Sequence, residues 1–238
     1  MHESLGVPLS CAGFITFIIA TGTIISSLMS DRLTTRFGPG RVTAASVALT
    51  AAALFGFSFS TQFWVLCLWA MPYGLGAGTV DAALNNYAAL HYTARHMNWL
   101  HGCWGLGASI SPFIMSQALS SGHGWPSAYR TVGTLQAILT AIVTVSLPLW
   151  NKTQKINGGG SARLFDHVPT RAALATPGVP AVLGTFFSYC AVESTSMLWA
   201  ASYLVSVRGT DGATAAAFAS LFVLGITAGR FLAGFVAE

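Results

Sequence analysis

The sequence predicts an all-α integral membrane protein, on two observations about its charges and one about its apolar runs. Of its 238 residues, 53% are hydrophobic and only 8% carry a charge, whereas about 25% are charged in an ordinary soluble domain. The charges are also unevenly spread, so that long stretches between them contain none. Apolar stretches of about 18 residues or more can cross the hydrocarbon core of a bilayer as helices. The expected surroundings are therefore a lipid bilayer.

Seven apolar segments can be placed along the chain and are expected to form about seven transmembrane helices. Transmembrane β-strands are not expected, because each run is about twice as long as a barrel strand and does not alternate in polarity. The segments cover about residues 8–30, 42–60, 63–90, 100–120, 128–150, 179–207 and 213–237.

Basic residues between the segments set the expected orientation. The loops after the first, third and fifth segments hold eight of them, and the opposite side holds only Arg130 and Arg208. Cytoplasmic loops carry an excess of lysine and arginine, so the richer side should be cytoplasmic. The dispersal of these charges also argues against a nucleic-acid partner. The eight residues are Arg32, Arg36, Arg41, Arg95, Lys152, Lys155, Arg163 and Arg171.

The loop at residues 151–176 is expected to divide the chain into two helical blocks. It contains Gly158, Gly159 and Gly160 among mixed charges, which is typical of a flexible linker. These glycines lack the ending of a phosphate-binding loop, so nucleotide binding is not expected. Residues 1–150 would form a block of five spans, 151–176 a cytoplasmic linker, and 177–238 the start of a second block with two spans.

The first and last segments show an internal repeat. Gly22 and Asp31 lie nine residues apart at the end of the first segment, and Gly229 and Glu238 show the same separation at the end of the last. The two pairs are offset by 207 residues, with five segments between them. This spacing fits two parallel six-helix halves, an architecture in which transporters hold their substrate near the membrane midplane.

The residues that follow Gly22 resemble a known signature. Ser27-Leu-Met-Ser-Asp31-Arg32 and then Arg36-Phe-Gly38-Pro-Gly40-Arg41 are similar to the loop between the second and third helices of major facilitator transporters, although Ser27 replaces a glycine. Gly234-Phe-Val-Ala-Glu238 looks like a degenerate second copy. The resemblance implies a partial major facilitator bundle, a fragment covering about family helices two to eight. It also implies a cytoplasmic gating motif of Asp31, Arg32, Arg36, Gly38, Arg41, Gly234 and Glu238.

Asp81 is the most informative residue of the third segment. A carboxylate well inside a membrane helix costs roughly 2.5–3.5 kcal/mol, so it is expected to face a water-filled cavity or a partner. One face of the helix carries two glycines, which allow close approach of another helix or a ligand, beside two polar residues. A desolvated acid can bind and release a proton; the alternative is a structural hydrogen bond. The shared face holds Gly74, Gly78, Asp81 and Asn85.

Two further segments carry polar side chains on apolar helices. On the fourth, His101 either bonds to solute hydroxyls or caps the helix near the cytoplasmic surface, and it shares a face with Trp104. On the sixth, Glu193 lies near Trp199 and Tyr203. An acid beside aromatic rings suits sugar recognition, because the carboxylate binds hydroxyls and a ring stacks on the apolar sugar face. The alternative for Glu193 is a carboxylate nearer the membrane edge.

No metal, cofactor or catalytic group is expected. The four cysteines have no metal-ligand or disulfide spacing. His91, His96 and His101 are five residues apart, which scatters them around a helix. No nucleophile–base pair supports a membrane-embedded hydrolase, so the protein is not expected to be an enzyme.

Two stretches resemble the fucose permease branch of the superfamily, namely Gly74-Leu-Gly-Ala-Gly-Thr-Val-Asp81-Ala-Ala-Leu-Asn85-Asn86 and Asn98-Trp-Leu-His101-Gly-Cys-Trp104-Gly-Leu-Gly107-Ala108. Tyr189-Cys-Ala-Val-Glu193 and Trp199-Ala-Ala-Ser-Tyr203-Leu look like its seventh helix. The resemblance implies that Asp81 is the proton-linked acid and that His101 replaces a sugar-contacting glutamine. The expected solute contacts are Asn85, Asn86, His101, Trp104, Glu193, Trp199 and Tyr203.

The leading functional hypothesis is proton-coupled uptake of a sugar or polyol across the inner or plasma membrane. The expected partners are the solute, the proton and the lipid bilayer, and the full-length protein is expected to be a monomer. One alternative is proton-driven efflux of drugs or other amphipathic metabolites by the same fold. Another is a membrane sensor or scaffold that transports nothing.

Overall fold

The computed structural model describes residues 5–8, 11–156 and 170–236. Within these ranges the chain forms seven long helices and one short helix, and no strand. The all-α prediction is confirmed, and each long helix overlaps one of the predicted segments. The helices are α1 (Cys11–Phe37), α2 (Pro39–Phe59), α3 (Phe63–His91), α4 (Ala94–Ser120), α5 (Gly124–Ile156), α6 (Thr170–Leu174), α7 (Val179–Ser206) and α8 (Gly212–Val236).

Among the described helices, five contain stretches that are long and apolar enough to cross a membrane. Helices α4 and α7 have a similar length but do not meet this criterion, and both carry residues of the candidate site described below. Polar side chains on otherwise apolar helices are typical of the walls of a polar pathway. The five stretches are Gly13–Phe37, Pro39–Phe59, Phe63–His91, Gly124–Trp150 and Ala217–Val236.

The predicted loop after the first segment is wrong in its position. Helix α1 continues through Asp31, Arg32 and Arg36 and ends at Phe37, because nothing before Gly38 interrupts the helical backbone. Gly38 has φ 83°, and the following proline begins α2. Proline fits the first turn of a helix, where its missing N–H has no partner to lose.

The first compact unit comprises Met1–Tyr92 and Ser111–Asp166. Here α1 packs along α3, and α2 packs on both α3 and α5. Between α1 and α3, the hydroxyls of Thr23 and Ser27 donate to the carbonyls of Gly74 and Gly78, at 3.3 and 3.2 Å. A side chain on either glycine would collide with a carbonyl oxygen of α1. The sequence predicted that Gly74 and Gly78 allow close approach of either a helix or a ligand. In the structure, the neighbour that approaches them is helix α1.

The second compact unit comprises Thr93–Ile110 and His167–Glu238. Here α7 packs on α8, and the first part of α4 meets α8 through glycines that face aromatic rings. A Cβ atom on Gly102 would come within 2.9 Å of the Phe231 ring, and one on Gly234 within 2.8 Å of the Trp99 indole nitrogen. Glycines thus allow α4 and α8 to approach one another closely in this unit.

Candidate functional site

Glu193 is the buried acid around which the candidate site is built. It lies near the middle of α7 and is only 8% exposed. An ionised carboxylate removed from water needs a charged or hydrogen-bonding partner, and this need is greater within a membrane than in a soluble protein.

Arg230 of α8 supplies that partner. Its Nη2 donates to both oxygens of Glu193, at 2.9 and 3.1 Å. The two residues are 37 positions apart in the chain, and the packing of α7 on α8 brings them together. The result is an ion pair between two neighbouring helices.

Two aromatic side chains complete the group. The same Nη2 of Arg230 donates to the Tyr189 hydroxyl at 2.7 Å, and the centre of the guanidinium lies 5.3 Å from the Trp104 ring. This distance is within the range of a cation–π interaction. Trp104 and Tyr189 are 53% and 43% exposed, respectively, whereas Glu193 is buried. We name these residues, Trp104, Tyr189, Glu193 and Arg230, the ion-pair cluster.

The ion-pair cluster carries no net charge when its acid and its guanidinium are both ionised. It offers hydrogen-bond donors on Arg230, a phenolic hydroxyl and the surface of an indole ring. Such a set can bind hydroxyl groups and stack against an apolar ring face. It contains none of the nucleophile–base pairs that covalent catalysis requires.

Arg230 is the residue that the sequence reasoning missed. It is the one basic residue in the last predicted segment, 213–237, and its charge is therefore as costly in the membrane as that of Asp81. The presence of an acid in the preceding span and a base in this one was the available signal. Opposite charges in neighbouring transmembrane helices commonly pair with one another.

The other predicted solute contacts of this unit lie outside the ion-pair cluster. His101 is half-buried on α4, one turn before Trp104. Trp199 and Tyr203 lie further along α7 and are exposed. The Tyr203 ring faces the guanidinium of Arg208 at 5.8 Å. The structure thus brings together Trp104 and Glu193, and it gives the remaining three no shared contact within the described ranges.

The predicted polar residues of α3 belong to the first unit. Asp81 is exposed, and no hydrogen bond or ion pair joins it to another described residue. Asn85 is half-buried, and its Oδ1 is enclosed without a hydrogen-bond partner in the described part of the chain. Asn86 is exposed. The proton-binding role of Asp81 stays a prediction.

The predicted gating motif lies around the junction of α1 and α2. The Arg36 guanidinium lies 5.2 Å from the Phe37 ring, and Arg41 lines a small cavity beside Trp150. Asp31 and Arg32 are exposed on the last turns of α1. In the second copy, Gly234 packs on Trp99, and Glu238 lies outside the described residues. The gating role also stays a prediction.

Metal binding finds no support in the arrangement of the side chains. Across residues 5–8, 11–156 and 170–236, no three histidine, cysteine, aspartate or glutamate side chains are grouped so that they could hold a metal ion.

Comparison with known proteins gives two results. The family model described as Major Facilitator Superfamily matches residues 1–238. The chain is also similar to Bypass of stop codon protein 6 of Saccharomyces cerevisiae, with 26% identity over 240 residues. That similarity covers 91% of the chain and 48% of the yeast protein, so the chain spans about half the length of this curated relative.

Proposed function

The chain belongs to the Major Facilitator Superfamily and is a multi-pass membrane protein, and from this premise we propose that it serves secondary active transport of a small solute. The proposed process is proton-coupled uptake of a sugar or related polyol by alternating access. Its proposed location is the inner or plasma membrane, and the proposed full-length protein works as a monomer. Transporters of this kind expose a central site first to one side of the membrane and then to the other.

The ion-pair cluster is the observation that carries the proposal. A buried ion pair contributes little net stability, because desolvation of both charges offsets their attraction. Charged residues that nevertheless occur in the middle of membrane helices commonly serve substrate or ion pathways. Glu193 meets this description, since it lies near the midpoint of α7, and Arg230 of α8 is its ion-pair partner.

The composition of the ion-pair cluster supports a sugar or polyol as the solute. The pair is neutral overall, so it offers hydrogen bonds without a net charge that would favour an ionic solute. The exposed Trp104 ring supplies an apolar surface of the kind on which sugar rings stack. Asn85, Asn86, His101, Trp199 and Tyr203 are proposed as further contacts, on the resemblance to the fucose permease branch.

Asp81 is the proposed proton carrier. It is an acid in a membrane helix that holds no ion-pair partner among the described residues. Binding a proton would therefore neutralise it without breaking a salt bridge, which suits an acid that must change charge in every cycle. The gating motif is proposed to stabilise one conformation of the cytoplasmic side during alternating access. Its described residues are Asp31, Arg32, Arg36, Gly38, Arg41 and Gly234.

Efflux of amphipathic compounds is the second candidate, and one observation favours it. The first unit contains a cavity of about 580 Å³ between α1, α2 and α3. Its lining is mostly apolar, with Arg41 as the charged residue. Such a cavity would suit an amphipathic solute better than a sugar.

The test uses the full-length protein in proteoliposomes that contain a pH-sensitive dye. Addition of 6-deoxyhexoses, aldohexoses, pentoses or polyols should move protons into the vesicles with at least one compound. A pH gradient of one unit should then sustain accumulation of about tenfold for one proton per solute. Proton movement with hydrophobic dyes, and with none of these compounds, would favour the efflux candidate.

Replacement of Asp81 tests the coupling. Asp81→Asn should reduce accumulation to simple equilibration, while solute exchange without a pH gradient continues. The matched control is Asp211→Asn, which removes an acid at the start of α8, where Asp211 accepts a hydrogen bond from the Thr214 N–H at 3.0 Å. Asparagine caps a helix as well as aspartate does, so accumulation should remain. Unchanged accumulation by Asp81→Asn would exclude the proposed role of Asp81.

A further inference from the structure

We infer that Arg230 is the residue of the ion-pair cluster that binds the solute, and that Glu193 and Tyr189 hold it in position. This inference rests on the proposed function and goes further, because it moves the solute contact from the acid to the base. It also specifies the solute: an uncharged compound with neighbouring hydroxyl oxygens.

The acid is poorly placed to contact a solute. Both oxygens of Glu193 accept hydrogen bonds from Arg230. The side chain of Glu193 is 9% exposed, whereas that of Arg230 is 20% exposed. A solute that approached the ion-pair cluster would therefore meet the guanidinium and the two aromatic residues before the carboxylate.

The Arg230 guanidinium has N–H donors that its contacts with Glu193 and Tyr189 do not use. An arginine has five N–H donors, and all three of its side-chain hydrogen bonds here come from Nη2. Nε and Nη1 make no hydrogen bond with the described part of the chain. These N–H groups therefore remain available to acceptors on a solute. An incoming pair of hydroxyl oxygens would satisfy these donors in the planar geometry that a guanidinium favours.

The remaining groups explain why the solute should be uncharged. A solute carboxylate would compete with Glu193 for the same guanidinium and place two negative charges near each other. A solute cation would meet Arg230 itself. A neutral polyol avoids both repulsions, and one face of its ring can rest on the exposed Trp104 indole.

A purely structural role is the competing explanation. In that case the ion pair would only hold α7 against α8. Transport would then depend on the attraction between the two charges and not on which helix carries the arginine. Reversal of the pair separates the two explanations, since it keeps the attraction and changes the position of the guanidinium.

The experiment measures sugar- and polyol-driven proton uptake by the full-length protein in proteoliposomes, using the compounds named above. Arg230→Lys keeps the positive charge but removes the planar donors, so KM should rise about tenfold to a hundredfold, with Vmax nearly unchanged. Arg130→Lys is the control, because Arg130 is an exposed arginine of α5. Its KM should match that of the unmodified protein.

The reversed pair combines Glu193→Arg with Arg230→Glu. Its thermal unfolding in detergent should stay near that of the unmodified protein, but its KM should not recover. Recovery of KM by the reversed pair, or an unchanged KM in Arg230→Lys, would overturn the inference and leave the proposed function intact. If the unmodified protein responds to none of the compounds, both the proposed function and the inference fall. If the reversed pair does not fold, the KM of Arg230→Lys still decides.

Discussion

Two acids of the same chain illustrate what a single residue contributes in a membrane. Asp81 and Glu193 both lie in helices predicted to span the bilayer, and hydropathy alone gives them the same cost. In the structure, Glu193 is buried against Arg230, whereas Asp81 is exposed and holds no ion pair with a described residue. Protonation of Glu193 would break an ion pair, whereas protonation of Asp81 would break none with the described residues. This difference is why Asp81, and not Glu193, is the proposed proton carrier.

Gly38 is a residue whose backbone no other amino acid would adopt easily. It alone separates α1 from α2, with φ 83° and ψ 149°, a region that is essentially restricted to glycine. Gly38→Ala should destabilise the protein by about 1–3 kcal/mol and lower its thermal unfolding temperature in detergent.

The control for Gly38→Ala is Gly13→Ala in α1. A Cβ atom at Gly13 meets nothing within 4 Å, and alanine favours a helix over glycine by about 1 kcal/mol. The unfolding temperature of Gly13→Ala should therefore stay the same or rise. If Gly38→Ala and Gly13→Ala had equal unfolding temperatures, alanine at position 38 would cause no backbone strain, contrary to this prediction.

At the level of elements, α1 and α3 associate through backbone contact rather than through large side chains. In lipid, apolar side chains gain little by leaving one apolar environment for another, so close packing and hydrogen bonds must hold helices together. The hydroxyls of Thr23, Ser27 and Ser30 on α1 donate to carbonyls of α3. Gly74 and Gly78 make the required approach possible.

Gly74→Ala and Gly78→Ala should each disturb this packing. The added methyl group would collide with the backbone of α1 at Ile19 or Thr23, and overpacking of this kind costs about 1–3 kcal/mol. The measurement is the thermal unfolding temperature in detergent, which should fall.

Gly225→Ala in α8 is the matched control for these two variants. The space around a Cβ atom at Gly225 is open, so the variant should be neutral or slightly stabilising. If the unfolding temperature fell as far in Gly225→Ala as in Gly74→Ala, the loss of a glycine, and not the α1–α3 contact, would explain the result.

At the level of the whole molecule, the distribution of basic residues predicts which helix ends face the cytoplasm. The α1–α2 junction is expected to be cytoplasmic, and the connection between α4 and α5 is expected on the opposite side. This orientation follows from the excess of lysine and arginine near the former and not from packing.

Cysteine labelling tests the orientation. With the four native cysteines replaced, a membrane-impermeant maleimide should label His123→Cys in intact cells, since His123 is exposed between α4 and α5. Thr35→Cys, exposed near the end of α1, should react only after permeabilisation. The opposite pattern would invert the proposed orientation.

The sequence by itself determined the membrane class, the number of long helices and most helix ends. These properties follow from hydropathy, charge and backbone breakers, which are local and can be read along the chain. The position of the α1–α2 turn was misplaced, because charged residues were taken to end a helix that only Gly38 ends. Charge distribution also gave Asp81 and Glu193 as candidate residues, since any acid in an apolar run is conspicuous.

Tertiary structure alone decided which polar residues meet. Arg230 pairs with Glu193 because α7 packs on α8 with a particular rotation about each helix axis, and rotation is set by the sum of many small contacts. The approach of α4 to α8 places the Trp104 ring beside the Arg230 guanidinium, whereas Trp199 and Tyr203 on α7 lie apart from the ion-pair cluster. Hydropathy does not contain this information, because residues on opposite faces of a helix contribute to it equally.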